Sequence, residues 1–235
     1  MKVQASVALV AGANRGLGLA IVKTLQARGA KKIYAGVRDP AGFDLPGVIP
    51  VKLDVTNPED IAAAAAKLGD VNLLVNNAGI AEVGTFLAPD AIEATRHVFE
   101  TNFYGPVALS QAFAPILARN GGGAIVNVLS VVSWVGSTIL APYAATKAAL
   151  WSFTNSLRLE VAEQHTQVLG LHVGFMDTDL TRGFDTEKIS PDAVASQLLD
   201  GLEAGQGEVL ADEVTRAVKH GLSAEPGIYL STLPR

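Results

Sequence analysis

Short apolar runs alternate with longer alanine-rich or amphipathic stretches along the 235 residues of this chain. The short runs have the length and composition of buried strands, whereas the longer stretches suit helices. Repeated strand–helix–strand units of this kind build a parallel sheet. Strands are predicted near residues 7–11, 32–36, 49–53, 73–76, 124–129, 167–174 and 208–210. The sequence therefore predicts an α/β fold, a doubly wound parallel sheet of about seven strands with helices on both faces.

The stretches between the strands predict the helices, and several begin with proline near the first turn. The fixed φ and missing N–H of proline do no harm at that position. The helices are predicted at residues 17–27, 58–67, 89–102 continuing to 118, 142–164, 191–204 and 213–222. Because no Pro/Gly/Ser-rich linker or charge run divides the chain, we expect a single domain over residues 1–235. The irregular stretch 178–190 is a candidate substrate loop.

The overall composition excludes several classes of protein. The net charge is −5 without blocks of like charge, whereas nucleic-acid binding requires a basic face, so no nucleic-acid partner is expected. The absence of cysteine excludes disulfides, cysteine–zinc sites and thiol chemistry. The first residues lack a signal-peptide pattern, and no stretch reaches the ~20 apolar residues of a membrane span. We therefore expect a soluble, cytoplasmic protein without membrane contact.

A glycine-rich segment at residues 12–18 follows the first predicted strand and opens the first helix. Backbone N–H groups and the positive helix end attract a pyrophosphate there, and glycine lets the backbone approach it closely. A plain strand-to-helix turn is the alternative, but the position at the first strand–helix junction favours dinucleotide binding. The predicted contacts are Gly12, Asn14, Arg15, Gly16, Leu17 and Gly18.

Two arginines favour NADP(H) over NAD(H). Arg38 ends the second predicted strand, about 20 residues after the glycine loop, where an acid would select the ribose 2′-OH and an arginine the 2′-phosphate. Arg15 in the glycine loop can reach the same phosphate, and guanidinium groups bind phosphate bidentately. Asp39 is the counter-evidence, because its carboxylate could accept from a 2′-OH.

Tyr143 and Lys147 are four positions apart in a predicted helix and therefore share one face. A neighbouring ammonium group favours phenolate, so we expect the pKa of Tyr143 to lie below its usual value near 10. Tyr143 is therefore a candidate general acid near neutral pH. Two unrelated side chains on a surface helix are the alternative interpretation.

These motifs, in this order and spacing, resemble the short-chain dehydrogenase/reductase family over nearly the whole chain. The glycine loop has the family's Gly-x-x-x-Gly-x-Gly spacing, and Ser130 precedes Tyr143 by 143 − 130 = 13 positions. The segments Asn76-Asn77-Ala78-Gly79 and Thr101-Asn102-Phe103-Tyr104-Gly105 match two further family motifs. The resemblance implies a single-domain Rossmann-like enzyme that transfers a hydride between NADP(H) and a carbonyl or alcohol.

The resemblance also implies a role for each matching residue. Tyr143 would protonate the alkoxide, Ser130 would bond the same oxygen, and Lys147 would bond the nicotinamide ribose. Asn102 would hold a water that relays protons to Lys147, and Ser133 is a second candidate for the role of Ser130. Further implied cofactor contacts are Asp54, Val55, Asn77, Ala78, Gly79, Tyr143, Lys147, Met176 and Thr178. Met176 and Thr178 are less well supported, because Val173 stands where the family has proline.

The substrate and the assembly are predicted from less specific features. Apolar candidates for the substrate pocket favour an apolar or aromatic carbonyl compound; they are Trp134, Val135, Leu140, Phe175 and Phe184. Each of them could instead be a core residue. The chain ends without the glycine-rich C-terminal segment of many relatives, so we expect a homodimer paired through the helices that contain Asn102 and Tyr143.

Two other functions are compatible with parts of the sequence. A non-catalytic NADP-binding regulator or scaffold could keep the fold, although such a protein would not need Ser130 together with Tyr143. A serine hydrolase is disfavoured because the Gly-x-Ser-x-Gly elbow is missing. The histidines show no metal-ligand spacing, so no metal is expected and they are interpreted as surface or satisfied core residues: His97, His165, His172 and His220.

Overall fold

The computed structural model describes residues 1–230, and its strands form one seven-stranded sheet. The strands are β1 (Val7–Ala11), β2 (Lys32–Val37), β3 (Ile49–Lys52), β4 (Leu73–Asn76), β5 (Gly123–Val128), β6 (Thr166–His172) and β7 (Glu208–Leu210). Their order is β3-β2-β1-β4-β5-β6-β7, and every neighbouring pair is parallel. The predicted α/β fold with a parallel sheet of seven strands is confirmed.

Helices cover both faces of the sheet, as a parallel sheet requires. They are α1 (Gly16–Ala27), α2 (Pro58–Lys67), α3 (Ala91–Phe99), α4 (Gly105–Arg119), α5 (Ala141–Glu160), α6 (Pro191–Glu203) and α7 (Glu213–Gly221). One core cluster joins the sheet to α1 and α6, and a second joins it to α2, α4 and α5. Every residue of β1 and β4 is buried, because these strands lie in the middle of the sheet.

Local sequence sets the starts of two helices. Pro58 and Pro191 each occupy the first turn of their helix, where no N–H is needed. The Asn57 side chain caps α2 by accepting from the N–H of Glu59 at 2.8 Å, and Ser190 caps α6 by accepting from Ala193 at 3.2 Å. These caps satisfy N–H groups that a helix cannot satisfy internally.

The observed boundaries are close to the predicted ones, with one difference that concerns the site. Strands β1, β4 and β7 have the predicted bounds, and the other four differ by one or two residues at their ends. The long helix predicted over 89–118 is instead two helices joined by a π-helical segment, Glu100–Tyr104. The predicted helix 142–164 ends at Glu160 and is followed by a short 3-10 turn, Ala162–Gln164.

The strand order places a crevice at the carboxyl ends of the strands. β1 pairs with β2 on one side and with β4 on the other. The chain therefore builds the sheet outward from β1 in one direction through β2 and β3, and then returns to build it in the opposite direction from β4 to β7. Ligands of doubly wound sheets bind at this change of direction. Within residues 1–230, no helix is both long enough and apolar enough to cross a membrane.

Candidate active site

A cleft of about 760 Å³ lies at the carboxyl ends of the strands. Every residue predicted to contact the cofactor lines it, from the glycine loop to the segment after β6. These residues are Gly12, Asn14, Arg15, Gly16, Leu17, Gly18, Arg38, Asp54, Val55, Asn77, Ala78, Gly79, Tyr143, Lys147, Met176 and Thr178. The fold therefore brings together groups that are separated by up to 166 positions in the chain (178 − 12).

The glycine loop is shaped by close backbone contacts. Gly12 has a φ of 70° and Gly16 a φ of 53°, in the region that L side chains rarely adopt. A Cβ on Gly18 would lie 2.1 Å from the carbonyl oxygen of Gly12, so only glycine fits. Asn77 fixes the loop to β4 by donating from Nδ2 to the carbonyl oxygens of Ala11 and Gly12, both at 3.0 Å. This glycine cradle at the start of α1 has the form of a pyrophosphate site and fits a dinucleotide.

Two guanidinium groups, Arg15 in the glycine loop and Arg38 after β2, line the cleft. Arg15 pairs with Asp179 (Nη1 to Oδ2 2.8 Å). Hydrogen bonds from Thr56 and, more weakly, the charge of Arg38 lower the pKa of Asp54. Asp39 accepts from the backbone N–H of Ala41 at 3.1 Å, so one carboxylate oxygen is used within its own loop.

Tyr143 and Ser130 form the polar centre of the cleft. Burial raises the pKa of the Tyr143 hydroxyl to about 12, while the hydrogen bond with Ser130 acts in the opposite direction. The expected lowering of this pKa by Lys147 is therefore wrong for this structure, because desolvation of the phenolate is the larger effect. A high pKa keeps the proton on Tyr143 at neutral pH, which a proton donor requires.

Lys147 lies one helical turn after Tyr143 on α5. Its Nζ donates to the carbonyl oxygen of Val128 at 2.8 Å and lies 5.5 Å from the centre of the Tyr143 ring. Burial lowers the pKa of Lys147 to about 8, so the ammonium form still predominates at pH 7. The cation is fixed at the end of β5 and faces the cleft.

Ser130 is fixed by its surroundings at the end of β5. Its Oγ donates to the carbonyl oxygen of Val173 at 3.3 Å and accepts from the N–H of Val132 at 3.4 Å. Ser133 accepts from the backbone N–H of Ser130 at 3.3 Å and is not among the residues that line the cleft. Ser133 therefore supports the backbone of Ser130, whereas Ser130 is the serine that lies beside Tyr143 in the cleft.

A sequence profile described as short chain dehydrogenase matches residues 6–189. The chain belongs to this family. The family resemblance inferred from the motifs is confirmed, and the protein is an oxidoreductase of the short-chain dehydrogenase family. The parallel sheet and the flanking helices are those of a Rossmann-like fold.

Relatives of known sequence and structure cover nearly the whole chain. The 3-oxoacyl-[acyl-carrier-protein] reductase FabG of Escherichia coli is 32% identical over 98% of this chain and 100% of its own. A short-chain dehydrogenase from Burkholderia cenocepacia in complex with NADP is 37% identical, with a TM-score of 0.92 and 96% of each chain covered. An NADPH-bound carbonyl reductase from chicken fatty liver is 29% identical, with a TM-score of 0.78, 86% of this chain and 94% of its own covered.

Asn102 occupies the π-helical segment of this short-chain dehydrogenase. It is completely buried and is not among the residues that line the cleft. Its Oδ1 accepts from the N–H of Ile80 at 2.9 Å, and its Nδ2 donates to the carbonyl oxygen of Ile80 at 2.8 Å and to Thr146 Oγ1 at 3.1 Å. Asn102 therefore joins the turn after β4 to helix α5. π-Helical segments recur at functional sites, and this one brings Asn102 to the turn.

The substrate end of the cleft contains only part of the predicted apolar set. Leu140, Phe175 and Phe184 line it, and the rings of Phe175 and Phe184 are 5.3 Å apart. Trp134 and Val135 do not line it, so their assignment to the pocket is corrected. They pack in a separate buried cluster with Val131 and Val218 of α7, because the 3-10 turn after Ser130 directs them away from the cleft.

Sequence reasoning missed several lining residues of the cleft. They are Ile80, Ala81, His97, Thr101, Val131, Val132 and Thr181. Except for His97, they lie within three positions of the Asn77–Gly79 turn, Asn102, Ser130 or Thr178, which was the available signal. The loop 178–190 is joined to the segment after β6 by a bridge between Met176 and Ile189.

Proposed function

We propose that this enzyme reduces a ketone or aldehyde to an alcohol with NADPH, reversibly. The observation that carries the proposal is the presence of the Ser130 and Tyr143 hydroxyls side by side in the same cleft as the glycine loop. With NADPH bound, the nicotinamide supplies a hydride to the carbonyl carbon. Ser130 donates a hydrogen bond to the carbonyl oxygen, and Tyr143 gives that oxygen a proton, so hydride and proton together complete the alcohol.

Electrostatics of the chain's own groups support this assignment. A donor aimed at an oxygen that gains negative charge typically contributes 10²–10³ in rate, which is the role proposed for Ser130. After Tyr143 loses its proton, the partly buried phenolate is stabilised by a compensating charge. Lys147 provides it from α5, and its proposed second role is a hydrogen bond to the nicotinamide ribose. The bonds of Asn102 support its proposed role as the anchor of the turn that faces Lys147, and the water relay stays a prediction.

NADP(H) is the proposed cofactor. Arg15 and Arg38 both line the cleft and supply the positive charge that a 2′-phosphate requires. The related Burkholderia cenocepacia structure holds NADP, and the chicken carbonyl reductase holds NADPH. These relatives support the choice that the two arginines indicate.

An apolar or aromatic carbonyl compound is the proposed substrate class. The side chains of Leu140, Phe175, Leu180 and Phe184 give the substrate end of the cleft an apolar lining. A 3-oxoacyl thioester is a second candidate, favoured by the similarity to FabG over 98% of this chain. Its acyl chain would occupy the same lining.

A homodimer is the proposed assembly, paired through the helices around Asn102 and Tyr143. Large apolar side chains are exposed on this side of the molecule: Leu87 is 96% exposed, Ile92 of α3 70% and Tyr104 54%. Burying such a surface is a common reason for association. Sedimentation equilibrium tests it, and a monomer at micromolar concentration would contradict it. The cytoplasmic location stays a prediction.

The decisive experiment follows NADPH absorbance with aromatic ketones, aliphatic aldehydes and a 3-oxoacyl thioester. We expect the wild type to oxidise NADPH with at least one of them and Tyr143→Phe to lose 10²-fold or more in kcat. Tyr229→Phe is the matched control, because Tyr229 is an exposed tyrosine outside the cleft. NADPH binding without turnover on any compound would support the regulator and overturn the proposed reduction.

A further inference from the structure

His172 is a buried titratable residue that the proposed reaction does not use. It ends β6, is 0% exposed and does not line the cleft. Its ring stacks on Trp134 with 4.0 Å between the ring centres and 20° between the planes. An apolar side chain of similar size would fill the same space without the cost of burying two polar nitrogens. We therefore expect the ring nitrogens of His172 to make contacts that explain why an imidazole is buried at this position.

The Nδ1 nitrogen of His172 has a partner in the active site. It lies 3.4 Å from the carbonyl oxygen of Ser130, which can only accept, so Nδ1 must carry the proton of this contact. Nε2 lies 3.6 Å from Oε1 of Glu208 and makes no hydrogen bond at that distance. The contact with Ser130 therefore favours the neutral form that carries its proton on Nδ1.

Two charged groups on neighbouring elements face the imidazole. Glu208 on β7 lies at its Nε2 edge, and Lys219 on α7 holds both oxygens of Glu208 at 2.8 and 3.0 Å. Lys219 also lies over the Trp134 ring, 4.8 Å from its centre. Trp134, Glu208 and Lys219 therefore enclose the ring and fix its orientation.

Ser130 is held at each of its polar atoms. Ser133 contacts its N–H, and backbone groups of Val132 and Val173 contact its Oγ. Its carbonyl oxygen accepts from the N–H of Ser133 at 3.0 Å and also faces Nδ1 of His172, which is the titratable side chain in this set. The N–H of Val131 in the same peptide donates to the carbonyl oxygen of Val173 at 3.0 Å, and His172 adds a side-chain contact from the neighbouring strand to these backbone bonds.

We propose that His172 is a positioning residue, whose Nδ1–H holds the Ser130 carbonyl together with the N–H of Ser133 and thereby keeps the Ser130 hydroxyl in place beside Tyr143. The stack on Trp134, whose ring is covered by Lys219 of α7, keeps the imidazole in the orientation that this contact needs. The inference rests on the proposed function, in which Ser130 and Tyr143 act on the carbonyl oxygen. Burial lowers the pKa of His172 against the opposing effect of Glu208, so at neutral pH a single N–H is available for Ser130.

Three substitutions of His172 separate positioning from packing. In His172→Asn the amide nitrogen lies near the place of Nδ1, so the donor to Ser130 is kept. His172→Gln extends toward Glu208 instead, and His172→Phe keeps the stack on Trp134 but has no donor. We expect kcat to fall about tenfold in the Gln and Phe variants and at most threefold in the Asn variant. The Kd of NADPH should stay within twofold in all three.

A second measurement does not depend on turnover. The chain has four tyrosines, and labelling them with ¹³C at Cζ lets Tyr143→Phe assign the Tyr143 signal. Because the Ser130 hydroxyl lies beside Tyr143 and affects its pKa, the Gln and Phe variants should shift this signal while the Asn variant leaves it near the wild-type position. His220→Asn, at an exposed histidine of α7, is the matched control for both measurements.

The outcomes separate this inference from the proposed function. Equal loss of kcat in all three variants, in step with a lower melting temperature, would make His172 a packing residue and overturn the inference. An unchanged Tyr143 signal in the Gln and Phe variants would overturn it as well. If the wild type reduces no carbonyl compound, the proposed function fails, and the Tyr143 signal still decides whether His172 positions Ser130.

Discussion

Asn102 and Ile80 are joined by two hydrogen bonds, one to the N–H of Ile80 at 2.9 Å and one from Asn102 to its carbonyl oxygen at 2.8 Å. The amide side chain thereby pairs with the backbone as a neighbouring strand would. Because Asn102 is buried, water cannot replace these bonds when the side chain is removed. The turn after β4, which carries Asn77 and Gly79 into the cleft, depends on this contact.

Asn102→Ala should therefore destabilise the fold as well as the site. Each buried backbone group left unpaired costs about 1–3 kcal/mol, so we expect the free energy of unfolding to fall by about 2–4 kcal/mol. Asn120→Ala is the control, because Asn120 also bonds two carbonyl oxygens but is exposed. Urea unfolding measures both variants. Equal losses would show that burial of the Asn102 bonds has no special effect.

A side chain at position 18 should weaken cofactor binding. A Cβ at this position would lie 2.1 Å from the Gly12 carbonyl oxygen and 2.6 Å from Nδ2 of Asn77. Gly18→Ala should displace the glycine loop and raise the Kd of NADPH more than tenfold, as fluorescence titration would show. Gly69→Ala is the matched control, since a Cβ there meets nothing within 4 Å. NADPH affinity within twofold of wild type in Gly18→Ala would contradict the proposed phosphate loop.

Arg38 tests the choice between the two dinucleotides. Charge-assisted hydrogen bonds contribute about 1.5–3 kcal/mol, so loss of Arg38 should weaken NADPH binding by about 10- to 100-fold. Arg38→Asp should leave NADH binding nearly unchanged, because NADH lacks the 2′-phosphate. Arg119→Asp, at the exposed end of α4 and outside the cleft, controls for net charge. Equal losses with both dinucleotides would refute the proposed role of Arg38.

Much of this site was predictable because its motifs are local in sequence. The glycine loop and the Tyr143–Lys147 pair each lie on one strand–helix junction or one helix face, so spacing alone relates their members. Strand β1 was predicted with its observed bounds for the same reason, since a short apolar run between polar residues marks a buried strand.

The errors arose where neighbours distant in sequence decide the outcome. Trp134 and Val135 follow Ser130 directly, but the 3-10 turn sends them toward α7 rather than into the cleft. The pKa of Tyr143 depends on burial by the surrounding fold, which the one-turn spacing to Lys147 does not contain. The π-helical segment around Asn102 has no signal in helical periodicity, because its neighbours continue the apolar pattern.

The titration of Lys147 should make the affinity for NADPH depend on pH. Its pKa is lowered to about 8, so it is mostly charged at pH 7 and mostly neutral at pH 9. If the ammonium group contributes to holding NADPH, the Kd should rise about tenfold between pH 7 and pH 9, following loss of that charge. Lys147→Met should bind more weakly at pH 7 and show a flat profile. Fluorescence titration across this range measures both, and parallel profiles would exclude Lys147 as the titrating group.

Glu208 should make the free energy of unfolding depend on pH in the acid range. The imidazole of His172, 3.6 Å away, and the ion pair with Lys219 lower the pKa of Glu208 to about 2, against a usual value of 4.5. A carboxylate with a lowered folded-state pKa stabilises the protein above pH 4.5, and the contribution is lost as the pH falls from 4.5 toward 2. Because the side chain is partly exposed, solvent screening reduces this contribution to about 1–2 kcal/mol.

Urea unfolding at pH 5 and pH 3 measures that contribution. Glu208→Gln cannot titrate, so the free energy of unfolding should fall less between these two pH values than in the wild type. Glu213→Gln is the control, because Glu213 is paired with Arg216 on the surface of α7 and is largely exposed. A wild-type slope retained in Glu208→Gln would mean that other carboxylates carry the acid sensitivity, and that Glu208 is not charged beside His172 at pH 3.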